Sequence, residues 1–224
     1  MSRTHEMAST SRERLLDAAV SLIRTKGYTA MRVEDVCEAT GLTKGSFFHH
    51  FASKEDLAMA AAERFSARAD LMFSRAAFRD EPDALGRLLA YVDFRRGAMQ
   101  GDLAGFTCLL GMLAQETYST HPQLSQSCGQ HIQDHAATLE PDIAAAKAAH
   151  APDAEWTAHS LAMFTQAVVQ GAFVLAKSQH DPAVAADCLD HLRRYLELSF
   201  NKPQAPPHAV PAPRSRRAAA ARKS

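Results

Sequence analysis

The sequence is poor in the features that would commit it to a membrane, a secreted scaffold or catalysis. No eighteen consecutive residues are apolar, so nothing in it is expected to span a membrane. The opening segment, MSRTHEMASTSRERLL, lacks the apolar run of a secretory signal. Cys37, Cys108, Cys128 and Cys188 are widely spaced and form no CxxC pair. They read as reduced thiols rather than a disulfide framework, and the expected compartment is the cytoplasm. Residues 83–200 show no glycine-rich phosphate loop, no nucleophile paired with a base and no acids in register. The sequence therefore argues against an all-α enzyme, and no cofactor is expected.

Net charge is absent as well, with 25 basic side chains against 25 acidic ones. That average hides an uneven distribution. Residues 1–60 carry eight of each sign, residues 61–200 carry eleven basic against seventeen acidic, and residues 201–224 carry six basic and none acidic. An acidic body is poorly suited to lie along DNA. Any nucleic-acid contact must come from the N-terminal part or the tail.

What is present is helical periodicity almost throughout. Thr10 with Glu13 fits a capping box, and Leu15, Leu16, Ala19, Leu22 and Ile23 form one apolar stripe that Gly27 ends. Val33, Val36 and Cys37 mark a short second helix stopped by Gly41. Thr43 caps a third running to about His50, and Ser53 caps a fourth. The second and third are separated only by Gly41-Leu42-Thr43, which is the helix-turn-helix arrangement. Beyond Pro82 the helices lengthen to roughly 83–99, 105–119, 122–149, 153–179 and 182–200, with breaks at Gly101, Pro122, Pro152 and Pro182. The expected fold is all-α with about nine helices. It divides into a helix-turn-helix domain over 10–56 and a helical body over 57–200. Disorder is expected over 1–9 and over the Pro-, Ala- and Arg-rich 201–224, whose arginines either add non-specific phosphate contact or form a solvated end.

The stretch TKGSFFHHF, Thr43 to Phe51, has the properties of a helix that lies in a major groove. Thr43 can cap it and meet phosphate, Lys44 brings charge to its entrance, and Gly45 and Ser46 keep its leading face thin. Phe47 and Phe51 lie four apart and are expected to anchor it in a core. Phe48, His49 and His50 then point outward, and Lys54 can neutralise a further phosphate. His49 and His50 cannot converge on one site, because adjacent helical residues diverge by about 100°.

With these residues in view, GYTAMRVEDVCEATGLTKGSFFHHFASKEDL, Gly27 to Leu57, resembles the DNA-binding domain of the TetR family of bacterial transcriptional regulators. The pattern is matched nearly end to end over about thirty residues. Two positions depart from it. Phe48 stands where the family commonly has a tyrosine whose hydroxyl reaches phosphate, and Arg32 stands where it usually has a Ser or Thr cap. Arg32 is then a further candidate for phosphate contact.

The resemblance implies a homodimer that binds a pseudo-palindromic operator on double-stranded DNA. Its last two long helices would pair across the two-fold axis, and its C-terminal domain would bind a small-molecule effector. The sequence allows the pairing independently: residues 157–176 are apolar on several faces, and Leu189, Leu192, Leu196 and Phe200 add a second stripe. GFTCLLGMLAQE resembles a Cys-Leu-x-Gly motif found in a subgroup of the family, with Cys108 in the place of a cysteine that senses electrophiles in some members. No basic residue lies within one helical turn of Cys108, so a small buried hydrophobe is the competing reading. Cys108, Met112, Met163, Phe164, Gln166, Gln170 and Phe173 are candidate ligand contacts. Cys128, His131 and His135 share a helical face, but a structural zinc site normally needs a fourth ligand. They are read as polar surface, and no metal is expected. The function expected is that of a ligand- or thiol-responsive repressor. An activator, or an adaptor using the same head for protein contact, is the alternative.

Overall fold

The computed structural model describes residues 10–99 and 101–201, so both chain ends expected to be disordered lie outside the described residues, apart from Asn201, which is still helical. The described residues form eleven α-helical segments and no strand. The first four are α1 (Ser11–Lys26), α2 (Val33–Thr40), α3 (Lys44–His50) and α4 (Lys54–Ser74). A 3-10 turn (Ala77–Asp80) leads to α5 (Ala84–Gly97), α6 (Leu103–Phe106), α7 (Leu109–Thr117) and α8 (Pro122–Ala137). The chain closes with α9 (Glu140–His150), α10 (Ala158–Gln179) and α11 (Pro182–Asn201).

The N-terminal boundaries follow from local chemistry. Thr10 Oγ1 accepts from Glu13 N–H at 3.2 Å, and the Glu13 carboxylate accepts from Thr10 N–H at 2.9 Å, closing the capping box. Gly41 ends α2 with φ +66°, a left-handed conformation that favours glycine, and no atom lies within 4 Å of where its Cβ would stand. Thr43 and Ser53 cap α3 and α4 by accepting from Ser46 and Asp56 N–H. Arg32 makes no side-chain cap at α2. Instead the Asp35 carboxylate accepts from Arg32 N–H at 2.6 Å and pairs with Lys26 at 2.5 Å.

Two expected helices are each broken in two. The segment 105–119 is interrupted at Thr107-Cys108, which are extended. Residues 106 and 109 would share a face in one continuous helix. Here Phe106 packs beside Phe173 in the body, while Leu109 belongs to the cluster under the head, and the chain passes between two cores at the break. The segment 122–149 ends at Ala137, and Pro141 lies in the first turn of α9, where its missing N–H costs nothing. The last long helix but one begins at Ala158 rather than 153, because Thr157 and Ser160 cap each other.

Two hydrophobic clusters organise the chain. One joins Leu15, Ile23, Phe47, Phe51 and Leu57 of the head to Leu109, Leu113, Leu124 and Cys128 of α7 and α8. The other joins α5, α9, α10 and α11 around Tyr91, Ile143, Val169, Leu189 and Leu196. The head thus sits on the body through a shared core rather than a hinge of loops. Helix α10 is long and apolar enough to cross a membrane by length and composition, at mean hydropathy 1.3. Its inner residues pack on α8, α9 and α11, and its outer face carries Phe164, Val174 and Leu175 exposed.

Candidate functional site

Helix α3 is held by its aromatic residues on one side and left open on the other. Phe47 and Phe51 are buried, and Arg12 lies 5.3 Å over the Phe51 ring. Phe48, one residue from Phe47, is 55% exposed. Thr43, Lys44, Gly45 and His49 are exposed with it, Ser46 and His50 are half-buried, and Arg32 is exposed at the start of α2. None of these eight residues is buried, and all but Arg32 lie on α3 or at its N-cap. Lys44 is not idle, because Nζ meets Glu34 Oε1 at 2.5 Å and the pairing holds Glu34 below the usual carboxylate range.

Lys54 stands apart from these residues. Its Nζ donates to the carbonyls of Tyr28 and Met31, both at 3.2 Å, and lies 4.3 Å over the Tyr28 ring. Its charge ties α4 to the loop between α1 and α2. That loop is also gripped from the body. Thr29 N–H donates to Glu116 Oε2 at 3.0 Å, and Tyr28 meets the His121 ring edge-on at 5.2 Å. The Glu116 carboxylate occupies the space a Cβ on Gly27 would need, and Gly27 has φ +88°.

Between head and body lies a cavity of about 440 Å³. Five phenylalanines, Phe65, Phe73, Phe94, Phe106 and Phe173, wall it, and Val20 and Arg24 of α1 reach into it from the head. Of the residues proposed from sequence, Cys108, Gln166, Gln170 and Phe173 line it. Met112, Met163 and Phe164 do not. Met112 receives Lys177 Nζ at its sulfur, Met163 packs on the body core, and Phe164 faces outward against Tyr195 at 4.8 Å. Gly111 has a steric reason, since a Cβ there would overlap the Gln170 carboxamide.

The expectation of solvent-facing polar surface on α8 is corrected. Cys128 is fully buried under the head, and burial pushes its thiol up to about 12. His131 and His135 line the cavity. Tyr91 Oη accepts from Arg95 Nε at 2.9 Å and from Gln166 Nε2 at 3.0 Å, so its own proton goes to His135 Nε2, at 3.0 Å. The imidazole is then the neutral tautomer with hydrogen on Nδ1. Burial first, and Arg95 and Arg79 second, lower its pKa to about 3.

Sequence reasoning did not single out Arg24, Tyr91, Arg95, Glu116 or Lys177. Arg24 and Arg95 each fall in the last turn of a helix, where a basic residue ordinarily answers the helix dipole. Nothing in the sequence marks them as cavity residues. Burial lowers the pKa of the Arg24 guanidinium, and Cys108, which has no basic neighbour in sequence, offsets part of that shift from nearby in space.

A helix-turn-helix head carried on an all-helical body is the architecture of a DNA-binding regulator. The family model of the bacterial regulatory proteins of the tetR family matches residues 15–61, and a tetracyclin repressor-like C-terminal domain matches residues 84–192. The chain belongs to the TetR family of DNA-binding transcriptional regulators. It is similar to the transcriptional regulator AcuR of Cereibacter sphaeroides, 28% identical over 161 residues that span 62% of this chain and 71% of that protein. The transcriptional repressor KstR2 of Mycobacterium tuberculosis is 35% identical over 57 residues, 25% of this chain and 28% of its own length. In structure, a TetR transcriptional regulator from Chloroflexus aurantiacus matches with a TM-score of 0.72 at 25% identity, over 83% of this chain and 93% of that one.

Proposed function

We propose that the chain is a homodimeric repressor whose affinity for its operator is set by what occupies the cavity between head and body. One observation carries the reading. Helix α1 contributes Val20 and Arg24 to the cavity wall while its Leu15, Leu16 and Ile23 pack in the same core as Phe47 of α3. A ligand that moves α1 therefore moves the recognition helix as well. Thr43, Lys44, Gly45, Ser46, Phe48, His49, His50 and Arg32 are the DNA-facing residues on this reading, with Lys54 a positioning residue behind them.

Dimerisation through α10 and α11 is supported by Phe164, Val174, Leu175, Tyr195 and Leu198, all more than 40% exposed on two neighbouring helices. Gly171 on the same side of α10 has nothing within 4 Å of where its Cβ would stand. Binding two half-sites of a pseudo-palindrome requires the paired recognition helices to lie about 34 Å apart, one DNA turn. Operator release then needs only a few kcal/mol of differential affinity between ligand-bound and empty dimers, on the order of 1–3 kcal/mol of coupling.

Cys108 supports a second route to the same release. It lines the cavity and is half-buried, so modification of its thiol would act from the place a ligand would occupy. The test is fluorescence anisotropy with the promoter upstream of the protein's own gene, at fixed salt, with the DNA labelled. Specific binding that survives competitor DNA is the expected result. Binding no tighter than to unrelated duplex overturns the regulator-of-its-own-promoter reading and favours a head used for protein contact.

A further inference from the structure

The cavity is apolar in its walls and cationic in its polar groups. Arg24, Arg68 and Arg95 line it, together with His131 and His135, and Asp70, which is exposed, is the one acidic lining residue. Arg68 is answered by Asp17 at 2.7 Å. Among the described residues, neither Arg24 nor Arg95 has a carboxylate within ion-pair distance. Arg95 spends Nε on Tyr91 and lies 4.7 Å over the Phe73 ring. Arg24 lies 5.4 Å over the Phe65 ring, and its Nε is buried without any hydrogen-bond partner.

A helix-terminal position explains why these two arginines occur where they do in the chain. It does not explain an Nε–H buried without an acceptor, because such a group loses its hydration and gains nothing in return. A guanidinium partly withdrawn from water is ordinarily paired, and the protein itself supplies no carboxylate for Arg24 or Arg95 among the described residues. An anion entering the cavity would answer the two lining guanidiniums, Arg24 and Arg95, that no carboxylate pairs among the described residues.

We propose that the effector is an organic carboxylate on a flat apolar body, its carboxylate held by Arg24 and its body held against the phenylalanine walls. This deepens, and rests on, the reading of the cavity as the effector site. A guanidinium presents its Nη–H groups to a carboxylate with charge-assisted hydrogen bonds, and Arg24 and Arg95 both line the cavity. Asp102 acts on Arg24 through its charge but is exposed and lies outside the cavity lining. Because Arg24 belongs to α1, the anion would be bound by the head as much as by the body. Lys177 Nζ, on the cavity-walling α10, holds the main-chain carbonyl of the same residue at 2.9 Å. A ligand that draws on the Arg24 side chain therefore strains a contact that joins head to body.

The experiment uses the full-length dimer with acetate, cinnamate and 2-naphthoate, each against its own carboxamide. Binding is followed by thermal melting and calorimetry, and operator release by anisotropy. At least one carboxylate should raise the melting temperature and bind roughly 10- to 100-fold more tightly than its amide. Arg24→Gln should remove that preference while melting, without ligand, no lower than the parent. Arg95→Gln should weaken the same carboxylate and provides the second variant if Arg24→Gln fails to fold. The proposal is overturned if no carboxylate in the series stabilises the dimer, if amides bind as well as acids, or if neither substitution changes acid affinity. An amide that binds and releases DNA leaves the effector cavity standing and removes the anion. A carboxylate that binds through Arg24 without altering operator affinity does the reverse.

Discussion

The Glu116 carboxylate accepts from the N–H of Thr29 at 3.0 Å, joining the end of α7 to the loop that separates α1 from α2. The bond spans 87 residues of sequence and stands beside Gly27, whose missing side chain leaves room for the same carboxylate. Head and body are thus locked at the loop that orients the helix-turn-helix, and the lock includes a steric element as well as a hydrogen bond.

Gly27→Ala carries two penalties, a left-handed φ of +88° and overlap with Glu116. We expect a loss of more than about 1 kcal/mol in urea unfolding. In the Glu116→Ala background the overlap disappears, so the same glycine substitution should cost less. Equal costs in the two backgrounds would show that the carboxylate is not packed on Gly27.

Lys44→Ala should weaken operator binding and lower the salt slope by about one, with melting unchanged because Lys44 is exposed. Glu34→Ala removes the acid paired with it and should tighten binding at low salt. Anisotropy titrations across a salt series read both. Unchanged affinity for Lys44→Ala would remove α3 from the DNA surface.

The two neighbouring phenylalanines should behave oppositely. Phe47→Ala is expected to cost about 3–5 kcal/mol of stability, since the ring is fully buried. Phe48→Tyr should leave melting alone and strengthen operator binding by about 1.5–3 kcal/mol, the value of one added hydrogen bond to a charged acceptor. A Phe48→Tyr protein with unaltered affinity would mean that position 48 does not reach phosphate.

Leu198→Glu places a charge on the outer face of α11 beside Tyr195, both now exposed. Sedimentation should show a shift from dimer towards monomer, and operator affinity should fall with it. For the parent, the melting temperature should rise with protein concentration, as mass action requires of a dimer. A concentration-independent melt with unaltered sedimentation of the variant would place the interface elsewhere.

His135 has a folded pKa of about 3 against an ordinary value of 6.5. Between these values the unfolded chain binds the proton and the folded chain does not, so stability is lost as pH falls below about 6.5. The loss should reach about 2 kcal/mol at pH 5. His135→Gln should flatten the melting temperature over that window relative to the parent. An equally steep acid limb in the variant would assign it to other groups.

Much of this architecture is legible in the residues alone. Thr10 and Glu13, Gly41, Thr43 and Ser53 mark the helix ends, because capping and left-handed backbone are local chemistry. The four-residue spacing of Phe47 and Phe51 identifies the buried face of α3. Pro141 also carried its signal, although periodicity on either side of it reads as one long helix. The break at Thr107-Cys108 had none, because it arises where the chain crosses between two cores.

The cavity belongs to the tertiary structure. Phenylalanines that wall it have the same spacing as phenylalanines in a core, so Met163 and Phe164 looked equivalent to Phe173 until the helices were packed. Arg24 and Arg95 look like helix-dipole partners in sequence, and only packing shows both at a cavity wall with no carboxylate paired to them. Lys54 shows the converse: an apparently free charge beside the recognition helix is taken up by two carbonyls of a loop that lies far from it in sequence. Helical ends and buried faces are set within a few residues. Which charge remains unanswered depends on partners brought together from distant parts of the chain, and those the sequence does not name.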